Sequence, residues 1–344
     1  MTMYINEGYM AGANLGHWIS QYGGKSHEYF KSYIQEKDIS RIASWGMDHV
    51  RVPVDYFIFE SDEEPGIYLE SGLVYIDNCL DWCKKNGINM ILDLHHAPGF
   101  FFGNGDKNCL MEDAAMQERY INIWKFFAKR YISEKNNLIF ELLNELVAKS
   151  SDQWNDLWKR TAEAVHSVSP DRKIIVGGNL WNSVNELKNL YISENPNILY
   201  TFHMYSPMIF THQRASWMEN TRRYTKPVEY PVNTDEHTDF YYGNIPDNEK
   251  GILDKEYLKR VITPAYEFID KNKRPLYCGE YGVIGNASTE SAIKWCGDLA
   301  DLLLYYGIGR AVWSYRGFSK VTDDNNEVQN MDYVRAVSKK IIYN

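Results

Sequence analysis

The sequence lacks the marks of several protein classes. No apolar run approaches the roughly 20 residues that a bilayer-spanning helix requires, and even the stretch from Ile88 to Leu94 is interrupted by polar residues. No membrane span is expected. Basic residues are in deficit, 37 against 46 acidic for a net charge of −9, and no stripe of Lys and Arg is present. Neutralising phosphates needs clustered cations, so nucleic acid is not expected as a partner. Cysteine is scarce: Cys79, Cys83, Cys109, Cys278 and Cys296 are odd in number, with neither CxxC nor a metal-finger spacing. They read as buried or free thiols. From Met1 to Gly16 no basic segment precedes an apolar one. The expected location is the cytoplasm, or outside the cell for a mature form whose signal peptide has been removed. No Pro/Ser-rich linker, internal repeat or low-complexity tract interrupts the 344 residues.

What is present is a core-forming composition, 44% hydrophobic with 24% charged, and an abundance of rings: 10 Trp, 26 Tyr and 14 Phe. Flat apolar faces with polar edges suit sugar rings as well as cores. Short apolar runs alternate with amphipathic segments, which is the order of βα units. Eight strands are predicted: Tyr9–Asn14, Asp48–Val54, Ile88–His95, Leu138–Glu145, Lys173–Gly177, Ile198–Tyr205, Pro275–Tyr281 and Gly309–Ser314. Helices are predicted over Ser26–Trp45, Gly72–Asn86, Glu112–Ser133, Ser151–Ser169, Val184–Tyr191, Lys255–Asn272, Ser288–Tyr306 and Val328–Ile342. In the second of these, Tyr75, Ile76, Cys79, Leu80 and Cys83 recur at three and four residues, as a helix lying on a sheet requires. Gly87 then stands where a helix C-cap belongs. An eight-fold alternation closes most economically as an α/β (β/α)8 barrel, a TIM barrel, for which 344 residues leave room for one insertion. The stretch 206–254 breaks the rhythm with four prolines and many aromatic and acidic residues, and reads as a lid-like subdomain after strand six. The whole chain, 1–344, is then one catalytic barrel, and a monomer is expected.

Catalytic groups of such barrels sit at the C-terminal ends of strands. Those ends carry Arg51, the pair His95–His96, the pair Asn144–Glu145, His203, Tyr205, Glu280 and Trp313. Side chains on a strand alternate faces, so His203 and Tyr205 are neighbours while Asn144 and Glu145 point apart; one of that pair must reach the site from the rim. Glu141 lies about 13 Å nearer the barrel bottom and reads as a hydrogen-bonded interior residue. Glu145 and Glu280 would converge across the mouth. Paired carboxylates are what glycosidic bond cleavage needs, one protonated to release the leaving oxygen and one ionised to attack or to activate water. Arg51 and Tyr205 are suited to hold one carboxylate anionic by charge-assisted hydrogen bonds.

The constellation Asn144-Glu145, His203-x-Tyr205, Tyr277-Cys278-Gly279-Glu280-Tyr281-Gly282, Arg51-Val52-Pro53, His95 and Trp313 resembles glycoside hydrolase family 5, the cellulase family. The resemblance implies Glu145 as acid/base and Glu280 as nucleophile of a retaining double displacement. It implies that Asn144 meets the 2-hydroxyl of the sugar at the cleavage point, Arg51 and Tyr205 position Glu280, and His203 supports Glu145. His95 would contact the same sugar, with His96 beside it in the substrate site and Trp313 stacked beneath. The implied activity is an endo-β-1,4-glucanase on cellulosic chains or mixed-linkage β-glucan, without cofactor or metal. Mannan, xyloglucan and β-1,3-glucan are alternative substrates, because the catalytic residue types are shared and only the cleft walls differ.

Other chemistries fit less well. His95, His96, His203 and Asp93 suggest a metal-dependent barrel hydrolase, yet the first strand, Ala11-Gly12-Ala13-Asn14-Leu15-Gly16, has no HxH pair. A phosphate-binding barrel isomerase needs a glycine-rich anion cradle after strands seven and eight, which is missing. A non-catalytic sugar-binding barrel would not need both glutamates. Trp313 and the Tyr and Phe side chains around Gly99–Gly103 and Ser206–Tyr242 are the predicted cleft walls.

Overall fold

The computed structural model describes residues 4–340 apart from 22–23, 25, 103–106, 320 and 324. Eight parallel strands close into a barrel: β1 (Ala11–Asn14), β2 (His49–Asp55), β3 (Asn89–His96), β4 (Leu138–Glu141), β5 (Ile174–Gly177), β6 (Ile198–Met204), β9 (Leu276–Tyr281) and β10 (Gly309–Val312). Between β6 and β9 a short antiparallel ribbon joins β7 (Val232–Asn233) to β8 (Ile252–Leu253). Among the described residues no helix is long and apolar enough to cross a membrane.

The predicted strands and the observed ones coincide, with informative differences at two ends. β4 stops at Glu141, four residues earlier than predicted. The carbonyl of Leu142 accepts hydrogen bonds from Tyr120 Oη (2.9 Å) and Trp124 Nε1 (3.1 Å) on the outer helix Ala114–Arg130. That carbonyl is thereby taken by the helix behind the sheet. β10 likewise ends at Val312 rather than Ser314. Two predicted helices are each split. Ile34 is extended, and a capping box between Gln35 and Asp38 starts a new helix, Glu36–Ser44. Farther on, Pro264 stands in the first turn of Thr263–Asn272, separating it from Lys255–Val261, because proline has no amide to continue a helix. The last helix is shorter than predicted, Met331–Val337, and residues 341–342 of the prediction lie outside the described residues.

Strand alternation divides the barrel interior into two zones. Tyr9, Ile91, Ile139, Ile175, Leu199, Tyr277 and Ala311 form one buried apolar cluster at the floor. One pleat period higher on the same faces, the side chains turn polar: Asp93 follows Ile91, Glu141 follows Ile139, and Thr201 follows Leu199. Helices cover the outside, as in Glu70–Lys85, whose apolar positions Tyr75, Ile76, Cys79, Leu80 and Cys83 are all buried. Gly87 behind it has φ +66°, the left-handed conformation expected of a helix stop.

The 206–254 segment is tied down rather than free-standing. Glu229 accepts hydrogen bonds from the hydroxyls of Ser288 and Ser291, and the Tyr230 amide donates to Ser291 Oγ at 2.9 Å. Its Val228, Tyr230, Val232, Phe240 and Leu253 side chains are buried in the main core.

Close packing between strands makes one position a sharp test. A Cβ on Gly309 would lie 2.1 Å from the Tyr9 carbonyl oxygen, a backbone atom that cannot rotate away. Gly309→Ala is expected to cost at least about 1–3 kcal/mol through overpacking, read as a lowered urea midpoint with unchanged slope. An unchanged midpoint would mean that β1 and β10 separate freely.

Candidate active site

The site is built around Arg51, which β2 points into the barrel and buries completely. Nε and Nη2 hold Glu141 in a two-pronged pair at 2.7 and 2.9 Å. Nη1 donates to Asn14 Oδ1 and Glu280 Oε1, both at 2.9 Å, and Nη2 donates to Asn144 Oδ1 at 2.9 Å. All five N–H donors of the guanidinium are thereby satisfied. Asp93 Oδ2 adds an ionic contact at 3.1 Å.

Alternation alone would turn Glu280 away from this site. Tyr277 belongs to the barrel floor, and a Cβ on Gly279 would meet His203 and Thr201, so the odd positions face inward. A β-bulge reverses the order. Phe202 pairs with Cys278 but His203 pairs with Glu280, and on the other side Arg310 pairs with Cys278 but Val312 with Tyr281. The extra residue in β9 rotates Glu280 inward. There Tyr205 Oη donates to its Oε2 at 2.8 Å.

Glu145 arrives by a different device. It follows the end of β4 in the left-handed region, φ +44°, which lets it and Asn144 both line the cavity. His203 Nδ1 lies 2.9 Å from Glu145 Oε1 and 3.6 Å from Glu280 Oε2. With carboxylates on that side, Nδ1 carries the proton; Nε2 then accepts from Asn182 Nδ2 at 3.2 Å. An oxygen of Glu145 and one of Glu280 come within 4.8 Å of each other. These two and His203 would be the donor set for a metal among the described residues. The histidine offers the set a proton where a ligand needs a lone pair, so the group fits a hydrogen-bonded pair better than a metal centre.

Burial raises both carboxyls toward neutrality. Desolvation pushes Glu145 up to about 7, opposed by Arg51 and reinforced by Glu141. Desolvation also pushes Glu280 up to about 7, opposed by His203, Arg51 and the Tyr205 hydrogen bond. The direct donors distinguish the two: Glu280 receives Arg51 and Tyr205, whereas Glu145 receives His203. Negative charge is therefore better stabilised on Glu280 and a proton on Glu145. Desolvation raises Asp93 to about 7 as well, against Arg51, while burial lowers His203 to about 4 and keeps it neutral.

The strand ends open on a cavity of about 780 Å³. Of the residues named from sequence, His95, His96, Asn144, Glu145, Tyr205, Glu280 and Trp313 line it. Arg51 and His203 lie behind the carboxylates and touch them rather than the open space. His95 is fixed by Asp93 at 2.8 Å and stacks at 7° on Trp313, with centroids 5.6 Å apart. His96 reaches the same cavity through a second irregularity, a register shift after Val54–Leu94, and Asp55 holds its Nδ1 at 2.6 Å. Its Nε2 has no partner among the described residues.

The walls differ in part from expectation. Phe101 and Phe102 line the cavity as predicted; Gly103 lies outside the described residues. From the insertion, however, it is His212 and Trp217 that line it, while Tyr224, Tyr230 and Phe240 are buried in the main core. Asn14, Gln21 and Phe318 were not singled out from sequence. Asn14 shares the inward parity of Gly12, a signal that was available; Gln21 and Phe318 lie in loops, where alternation carries no information.

Comparison with known proteins identifies the family. The family model described as Cellulase (glycosyl hydrolase family 5) matches residues 12–319. Endoglucanase C of Acetivibrio thermocellus is 46% identical over 313 residues, 90% of this chain and 91% of that protein. Cellodextrinase A of Ruminococcus flavefaciens is 31% identical over 310 residues, 90% of this chain and 86% of that one. The crystal structure of Thermotoga maritima Cel5A shares the fold with a TM-score of 0.79 at 24% identity, covering 96% of this chain and 98% of the other. The chain belongs to glycoside hydrolase family 5, the cellulase family.

Proposed function

We propose that the protein is a retaining endo-β-1,4-glucanase that cuts internal bonds of cellulosic chains or mixed-linkage β-glucan, with Glu280 as nucleophile and Glu145 as acid/base. The observation that carries this reading is the approach of an oxygen of Glu145 to within 4.8 Å of one of Glu280. Retaining glycosidases hold their carboxyl groups about 5–5.5 Å apart, whereas inverting ones leave roughly 6.5–9.5 Å for a water molecule. The family membership and the endoglucanase relatives support the same assignment.

In the first step Glu280, anionic under Arg51 and Tyr205, attacks the anomeric carbon while Glu145 gives its proton to the departing glycosidic oxygen. The C–O bond to the leaving sugar breaks as the ester to Glu280 forms. In the second step Glu145, now ionised, takes a proton from water, whose oxygen displaces Glu280. Neutral His203 holds Glu145 throughout without competing for its proton. Asn144, anchored by Arg51, presents its amide toward the sugar 2-hydroxyl, and Trp313 offers a flat face below the ring.

Three outcomes test the assignment. Glu280→Gln removes the nucleophile and is expected to abolish turnover, by on the order of 10⁴-fold or more, while circular dichroism stays native. Retained hydrolysis would exclude Glu280 as nucleophile. Glu145→Gln is expected to cripple hydrolysis of cello-oligosaccharides far more than that of aryl cellobiosides with acidic phenols, which leave without protonation; equal losses would remove Glu145 from the acid role. A panel of carboxymethylcellulose, barley β-glucan, laminarin and mannan reads the substrate class, with activity expected on the first two.

The raised carboxyl pKa values set the pH behaviour. A group whose folded pKa lies above its unfolded one stabilises the fold fully below the unfolded value and loses that contribution as pH rises through the folded value. Glu145, Glu280 and Asp93 all move up to about 7, so the site's contribution to stability declines between about pH 4 and 7. The thermal midpoint of Glu145→Gln is expected to fall less over that interval than that of wild type. Parallel curves would show that Glu145 is not protonated on folding.

A further inference from the structure

The start of the insertion bears on the uncharged donor of Glu280. Tyr205, the residue after β6, reaches Glu280 Oε2 through its hydroxyl at 2.8 Å. Desolvation and the negative charges of Glu280 and Glu145 push Tyr205 up, so its oxygen keeps the hydrogen that it donates. Yet Tyr205 stands past the last ladder pair between its strand and β9, Met204 with Tyr281. Strand register therefore does not place it.

A buried turn of the insertion does. Thr211 is completely buried, and its hydroxyl donates to the Tyr205 carbonyl. Its single hydrogen being spent there, the same oxygen accepts from His212 Nδ1–H at 3.1 Å. Burial lowers His212 to about 4, which keeps the imidazole neutral. Its ring meets the Tyr205 ring edge to face, with centroids 4.9 Å apart at 80°. The Thr211 carbonyl in turn accepts from the Ile284 amide at 2.9 Å, just beyond β9, the strand that carries Glu280. Beside this tie, Asn286 Nδ2 donates to the Gln213 carbonyl at 3.2 Å. One residue thus grips two strand ends. Its side chain holds the end that bears the donor, and its backbone holds the end that bears the carboxylate.

We propose that Thr211 is a positioning residue for the nucleophile, joining the ends of β6 and β9 so that the Tyr205 hydroxyl stays on the Glu280 carboxylate. This rests on the glucanase reading and deepens it. Glu280 is faced by Arg51 from β2, by His203 and Tyr205 from β6 and its end, and by Glu145 after β4. Of these neighbours, Tyr205 is the one that the insertion holds directly. The insertion then serves the chemical step itself, through a residue that does not line the cavity.

The test is a set of pH profiles of kcat and kcat/KM on cello-oligosaccharides for wild type, Thr211→Val, Thr211→Ser, Tyr205→Phe and the double variant Thr211→Val/Tyr205→Phe. Valine keeps the shape of threonine and removes the hydroxyl. Thr211→Val is expected to lower kcat about tenfold and to change KM by less than about twofold, the scale of a weakened hydrogen bond to a charged group. Its acid limb is expected to move to higher pH, because losing a donor disfavours the carboxylate anion. Tyr205→Phe should move that limb the same way by about one unit, tenfold in proton affinity. Adding Thr211→Val to Tyr205→Phe should then cost nothing further, since both act through one hydrogen bond. Thr211→Ser keeps the hydroxyl and is expected to recover most of the loss. Thr211→Ala takes the place of valine in the same cycle if valine does not fold. An unchanged acid limb, or losses that add in the double variant, overturns the positioning role while the glucanase reading stands. Failure of wild type to cleave any of the oligosaccharides overturns the glucanase reading itself, and this role with it.

Discussion

Arg51 uses every one of its five N–H donors inside the barrel, on Glu141, Asn14, Glu280 and Asn144, with Asp93 in ionic contact. Those partners come from the ends of β1, β3, β4 and β9, so a single buried cation gathers elements that sequence places up to 266 residues apart, from Asn14 to Glu280. Removing a charge from water is costly, and only a complete shell of partners offsets it. The geometry of the shell is therefore dictated by the planar fork of the guanidinium. Two oxygens of Glu141 fit one edge, and the remaining donors fix where the Glu280 carboxylate and the Asn144 amide must lie. A lysine would supply charge without that template.

The same shell explains why the site is poised near neutrality. Asp93, Glu141 and Glu280 surround one guanidinium, and Glu145 stands beside them. One positive charge does not compensate four carboxylates in a medium this poor in water, so the cluster retains protons that the same groups would lose in solution. Glu141, gripped by two prongs, is the least suited to carry one. Between the other members the number of direct donors decides, which leaves Glu280 the better anion and Glu145 the better acid. The proposed division of labour between the two glutamates thus follows from an imbalance of charge rather than from any difference in residue type.

Much of this was legible in the sequence, and the boundary of legibility is physical. The barrel followed from eight short apolar runs, because burial against helices demands them whatever the function. Alternation placed His203 with Tyr205 and set Glu141 deep, and both are where it put them. It did not foresee how Glu280 turns inward or how Asn144 and Glu145 face the same space, since a bulge and a left-handed residue leave no periodic trace. Nor did it anticipate that Ile34 would interrupt the first helix, or which rings of the 206–254 segment would reach the cavity. Those depend on tertiary anchors, such as Glu229 on Ser288 and Ser291, whose partners are distant in sequence.

The irregularities share one location and one cause. A strand can offer an inward-facing side chain only at every second residue, and eight strand ends so restricted cannot place neighbours side by side. A site that needs His95 with His96, and Asn144 with Glu145, has to break the alternation. It does so by the register shift after Leu94, the φ +44° of Glu145 and the bulge at Glu280. Each break sacrifices ladder pairing or places a residue where L-amino acids are strained by about 1–3 kcal/mol. Such costs are tolerable only above a region that makes none of them. The floor residues Ile91, Ile139, Ile175, Leu199 and Tyr277 lie below those breaks, where the strands pair in regular register. Regular packing below and departures from it above are two halves of one arrangement, in which the stability of the lower barrel holds the reactive geometry of the upper one.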